Sequence, residues 1–172
     1  VVNSVISVLR DFFETGGPVL WPIFGFTLLM WGLILERYWY FWVSYPHVLA
    51  SFVNEWQQRQ DTQSWYAQQI RMTRVSELTS EMGRFVPVVK TLVASLPMLG
   101  LLGTVTGMIQ IFDVMAIMGT GNPRAMADGV SRATIPTMSG LVAALSGLYF
   151  SINLDYRVKT EHVRLINEFG VQ

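Results

Sequence analysis

Thr104, Thr106, Gln110 and Asp113 recur along an apolar run that also holds Gly100, Gly103 and Gly107. At about 100° per residue these seven share one half of a helical wheel, and Leu101, Leu102, Val105, Met108, Ile109, Phe112 and Met115 fill the other. A second apolar run repeats the scheme, with Thr137, Gly140, Ala144, Gly147 and Ser151 opposite Met138, Leu141, Leu145, Leu148, Tyr149 and Ile152. Hydroxyls, an amide and a carboxylate can hydrogen-bond a file of waters or exchange a proton, which Leu and Val cannot do. The blander readings are small faces that only pack helix on helix and Thr hydroxyls bonded back to their own helix at i−4. Asp113 argues for more, because a carboxylate near hydrocarbon costs at least ~2.5 kcal/mol and must be paired, hydrated or functional.

The elements that would carry these faces are membrane spans. The chain has 172 residues, 51% hydrophobic and only 14% charged, with no net charge. That is a membrane composition with no basic footprint for nucleic acid. The absence of Cys removes disulfides and thiolate chemistry, and His47 and His162 stand in no metal-spacing motif. No nucleophile, base and oxyanion set converges, so neither an enzyme nor a metal or cofactor protein is expected.

Read in order, residues 1–16 form an amphipathic helix (Val5, Val8, Leu9, Phe12, Phe13) too short to cross a bilayer and suited to its interface. Gly16-Gly17-Pro18 breaks it. Residues 17–43 supply a first span, which Glu36-Arg37 and an aromatic belt (Trp39, Tyr40, Trp42) close. Residues 44–91 form a polar helical region with a turn at Gln60-Asp61-Thr62. Residues 92–118 and 130–154 are the second and third spans, 119–129 the loop joining them, and 155–172 a helical tail. Arg37, Arg59, Arg71, Arg74, Arg84, Lys90, Arg157, Lys159 and Arg164 crowd one side; Arg10, Arg124 and Arg132 lie on the other. By the positive-inside rule the N-terminus is periplasmic and the C-terminus cytoplasmic. The expected fold is therefore an all-α membrane protein with three transmembrane helices and long cytoplasmic helical extensions.

Pro97 followed by Leu99-Gly100-Leu101-Leu102-Gly103-Thr104-Val105-Thr106-Gly107 resembles the L-L-G-L-L-G-T-V-x-G signature of the ExbB/TolQ branch of the MotA/TolQ/ExbB proton-channel family. Gly129, Ala133, Thr137 and Gly140-Leu141-Val142-Ala143-Ala144 resemble its G-I-A-E-A-L-x-A-T-A-x-G-L-x-A-A stretch. The resemblance covers roughly the C-terminal half. It implies a homo-oligomeric, pentameric, multi-pass subunit of the bacterial inner membrane, surrounding an ExbD-like single-span partner and driving a TonB-like protein with the proton motive force. TolQ-like and flagellar-stator-like subunits share the motifs, and a non-conducting membrane scaffold is the alternative of another class.

The resemblance also assigns pore-facing hydroxyls to Thr104 and Thr137, beside which Thr106, Gln110 and Ser151 are expected to line the pathway. Gly100, Gly103, Gly107, Gly140 and Gly147 are expected to pack helices. Where the family's stretch has Glu, this chain has Arg132. Counting outward from the turn near Asn122, Arg132 and Asp113 reach similar depths, so an ion pair between them is expected across the hairpin or between subunits. The titrating carboxylate would then come from the partner helix.

Overall fold

The computed structural model describes residues 2–57, 64–118 and 123–169. The described residues are helical nearly throughout: α1 (Val2–Gly16), α2 (Leu20–Trp39), a π-helical stretch (Tyr40–Ser44), α3 (Tyr45–Gln57), α4 (Trp65–Gly83), α5 (Val86–Met118) and α6 (Pro123–Phe169). Among the described residues three helical segments are long and apolar enough to cross a membrane, and α2, α5 and α6 supply them. Helices suit that setting because each satisfies its own backbone polar groups where no water is at hand. The turn expected at Gln60-Asp61-Thr62 lies outside the described residues.

The chain divides into two compact units. The first comprises Val1–Trp31 and Thr91–Leu148. Here α1 ends at Gly16, and Gly17 takes φ +75°, a left-handed conformation that a side chain would strain. Leu20 then donates its N–H to the Gly17 carbonyl at 3.2 Å, starting α2. Phe13 fixes α1 to that start by packing on Trp21 and Phe24, with ring centroids 5.0 and 5.6 Å away. Leu20, Ile23, Met30, Val93, Leu96, Ala133 and Ala144 are buried.

Within this unit α5 and α6 touch through backbone. A Cβ placed on Gly100 would stand 2.9 Å from Thr137 Cα, and one on Gly140 would stand 2.6 Å from the Leu96 carbonyl oxygen. Such an approach is open only to glycine, and it is how membrane helices gain close packing without a hydrophobic driving force. Gly103 leaves room for Pro136, which is fully buried, and Gly107 for Ala133. α6 starts earlier than the sequence pattern suggested. Pro123 opens it at the first helical position, where a missing N–H costs nothing and φ is already set, so residues 123–129 are helix rather than loop.

The second unit comprises Gly32–Lys90 and Tyr149–Gln172. Tyr45, Val75, Leu78, Met82 and Leu165 form its core, with Tyr40, Phe41, Val158 and Ile166 packed around them. Arg37 is only 4% exposed. It donates to the Glu81 carbonyl at 2.8 Å and to the Glu36 carboxylate at 2.7 Å. Its guanidinium lies over the rings of Phe85 and Tyr40, 4.7 and 5.0 Å from their centroids. A cation thus sits where the last carbonyls of α4 concentrate negative charge. Tyr45 donates to Glu161 at 2.9 Å. Thr79 spends its one proton on the Val75 carbonyl, so the 2.9 Å contact with His162 is a bond donated by Nδ1–H. Asp155 accepts from Lys90 at 2.7 Å and from Lys159 at 2.9 Å, which holds its carboxyl below the usual carboxylate range.

Candidate functional site

Hydroxyls on apolar helices ordinarily bond back to the preceding turn, because no other acceptor is at hand. Thr104 does this, donating to the Leu101 carbonyl at 2.7 Å, and Thr106 shares its proton between Leu102 and Gly103 carbonyls, both at 3.0 Å. Thr134, Ser139 and Ser146 behave alike. Thr137 differs. Its hydroxyl crosses to α5 and donates to the Gly100 carbonyl at 2.9 Å. The bond is allowed by the glycines: one turn along α6, Gly140 lies against Leu96 and Gly100, which brings the two backbones near enough for a short side chain to span them. Thr137 Oγ1 and Thr104 Oγ1 have both given their proton to a carbonyl, so each turns acceptor lone pairs toward whatever else approaches.

A cavity of about 330 Å³ lies in the same unit, walled by the α1–α2 turn from Glu14 to Val19, by Gly103, Thr106, Gly107, Gln110, Ile111, Val114 and Met115 of α5, and by Met126, Gly129, Arg132, Ala133 and Pro136 of α6. Of the residues expected to line a pathway, this cavity gathers Thr106 and Gln110; Thr104 is half-buried on its own helix, and Thr137 occupies the α5–α6 seam. Ser151 belongs to the second unit and is 2% exposed. Asp113 is exposed, and Arg132 borders the cavity. The expected packing glycines lie at contacts: Gly100, Gly103, Gly107 and Gly140 between α5 and α6, and Gly147 against Met30 and Val93.

Sequence patterning did not single out Glu14, Pro136 or the Gly16-Gly17-Pro18 turn as parts of a site. The turn read as a helix break, and its role as a cavity wall depends on α1 folding back beside α5 and α6. Pro136 carried a signal, a proline in mid-span facing the glycine-rich side of the partner helix. The described residues contain no cluster of His, Cys, Asp and Glu able to hold a metal ion.

Comparison with known proteins bears on the family of the chain. Across 168 aligned residues the chain is 28% identical to the ExbB-like 3 biopolymer transport protein of Synechocystis, covering 79% of this chain and 80% of that one. A shorter match, 38% identical over 66 residues, joins it to an ExbB homolog of Methanothermobacter thermautotrophicus, covering 38% of this chain and 23% of the relative. The family model of MotA/TolQ/ExbB proton channels matches residues 45–166, which include the cross-helix Thr137 bond and the glycine seam. The chain is a member of the MotA/TolQ/ExbB proton channel family.

Proposed function

We propose that this chain is the ring-forming subunit of an ExbB–ExbD–TonB type complex in the bacterial inner membrane, with a periplasmic N-terminus and a cytoplasmic C-terminus. Homopentamers enclose an ExbD-like single-span partner, and proton flow through the joint structure energises a TonB-like protein acting on outer-membrane transport. The observation that carries this reading is the Thr137 hydroxyl bonded to the Gly100 carbonyl, 2.9 Å away. It presents an acceptor oxygen at a position rigidly set by two helix backbones. Thr104, bonded to its own helix, offers a second acceptor oxygen on α5. A protonated carboxyl on the partner helix has a donor to place on these oxygens, and a deprotonated one does not. The chain thereby responds to the partner's protonation state without titrating itself. Asp113 and Arg132 form an ion pair near the outer mouth, across the hairpin or between copies, and that pair acts as a structural latch.

The test is proton flux into liposomes holding this chain with its ExbD-like partner under an imposed gradient. Thr137→Ala and Thr104→Ala each lower the flux. Undiminished flux in both variants removes the hydroxyls from the mechanism, and no flux in the wild-type complex leaves a non-conducting scaffold. TolQ-like and stator-like roles share the conduction and differ in which partner protein copurifies.

A further inference from the structure

The cavity beside the α5–α6 seam sets polar groups, Glu14, Thr106, Gln110 and Arg132, among apolar walls that include Ile111, Val114, Met115 and Met126. At about 330 Å³ it has room for on the order of ten waters, and water occupies such a space only where several polar partners face it. Those partners are present. Thr106 has given its proton to two carbonyls and offers lone pairs, and the exposed Gln110 amide supplies donors and an acceptor. α1 ends beside them at Gly16, where the last carbonyls of a helix lie beyond its own ladder. Glu14, bonded to Arg10 at 2.7 Å, and Arg132 bring charges of opposite sign to its walls.

We propose that this cavity is a water-filled vestibule that carries hydrated protons from the outer surface into the membrane-spanning part of the chain, with Thr106 and Gln110 as the residues that hold its water. The inference rests on the membrane-spanning reading of α5 and α6. Its reach follows from helix geometry: Thr106 lies about 18 Å along the axis from Met118, more than half of a ~30 Å hydrocarbon layer. On the apolar half of α5, Val105 and Ile109 are 50% and 54% exposed, and on the membrane-spanning reading these are the positions that would meet lipid.

The chain contains no cysteine, so single cysteines report cleanly. In the full chain reconstituted in liposomes, Thr106→Cys and Gln110→Cys are compared with Val105→Cys and Ile109→Cys during reaction with a membrane-impermeant, positively charged thiosulfonate. That reagent needs a thiolate, and hence water, so the two vestibule positions react at least about tenfold faster than the two lipid-facing ones. Gln110 is exposed, so its variant keeps the test alive if Thr106→Cys fails to fold. Equal rates at all four positions overturn the proposal, as does protection of both vestibule cysteines, the result expected if an acyl chain fills the cavity. Because labelling reads water and not conduction, labelled cysteines in a complex without proton flux would sink the proposed function and leave the vestibule standing; flux without labelling would do the reverse.

Discussion

Gly140→Ala is the smallest change that should separate α5 from α6. The new Cβ would stand 2.6 Å from the Leu96 oxygen and 3.2 Å from Gly100 Cα. Ordinary C···O contact begins near ~3.3 Å, so the backbones must part by roughly 0.7 Å. The Thr137 to Gly100 bond, now 2.9 Å, would then stretch to a length at which a hydrogen bond no longer counts as made. Overpacking costs about 1–3 kcal/mol. The lost interhelical bond adds about 0.6 kcal/mol, with ~1.7 as the upper end. The total, roughly 2–4 kcal/mol, shifts the folding equilibrium about thirtyfold at its low end. Thermal unfolding of the detergent-solubilised chain reads this, with Gly32→Ala as control because nothing lies within 4 Å of a Cβ there. The control should be neutral or gain about 0.4–1 kcal/mol. If Gly140→Ala melts at or above Gly32→Ala, the close backbone approach is wrong, and with it the geometry that aims Thr137.

Arg37→Met should lower the melting temperature by an amount equivalent to about 1.5–3 kcal/mol, the worth of a charge-assisted bond to the Glu81 carbonyl. Arg74→Met, whose pair with Glu77 is solvated at 53% and 57% exposure, should change it little, and equal effects would discount the buried arrangement. The Asp155 carboxyl is held low by bonds from Lys90 and then Lys159. A depressed folded value means that its stabilisation is complete above the unfolded carboxylate value of about 3.9 and is lost as pH falls through the folded one. The melting-temperature gap between wild type and Asp155→Asn should hold from pH 8 to 5 and narrow below about pH 4; a gap that persists or widens there refutes the assignment. For the proposed latch, Asp113→Arg and Arg132→Asp should each impair flux, and the double swap should restore it in part; absence of any rescue excludes direct pairing.

The helix faces were legible because lipid rewards a simple sorting. Leu101, Leu102, Ile109 and Phe112 on α5, and Met138, Leu145, Tyr149 and Ile152 on α6, are all more than half exposed, while Gly100, Gly103, Gly140, Ala144 and Gly147 are buried. The 3.6-residue period carries that information directly. What the period does not carry is register between helices. Thr104 and Thr137 look equivalent along the chain, yet one bonds to its own helix and the other crosses to Gly100, a difference set by which residues the glycines bring opposite each other. The same holds for Arg37: a basic residue at the end of a span suggests a boundary marker, and its burial under Phe85 and against Glu81 requires the fold of α4. The cavity was least legible, since its walls come from segments nearly a hundred residues apart.

The π-helical stretch at Tyr40–Ser44 bears on how this protein tolerates length changes. There Tyr45 N–H reaches back to the Tyr40 carbonyl, one residue further than a regular α-helix would allow. The turn holds a surplus residue that the helices on either side have no use for. Removing one residue elsewhere in α2 or α3 would swing every following side chain by about 100° and scramble the buried stripe. Removing one here lets the wide turn tighten into an ordinary one and leaves both flanks aimed as before, so this is the seam at which the rod can be shortened without being rewritten.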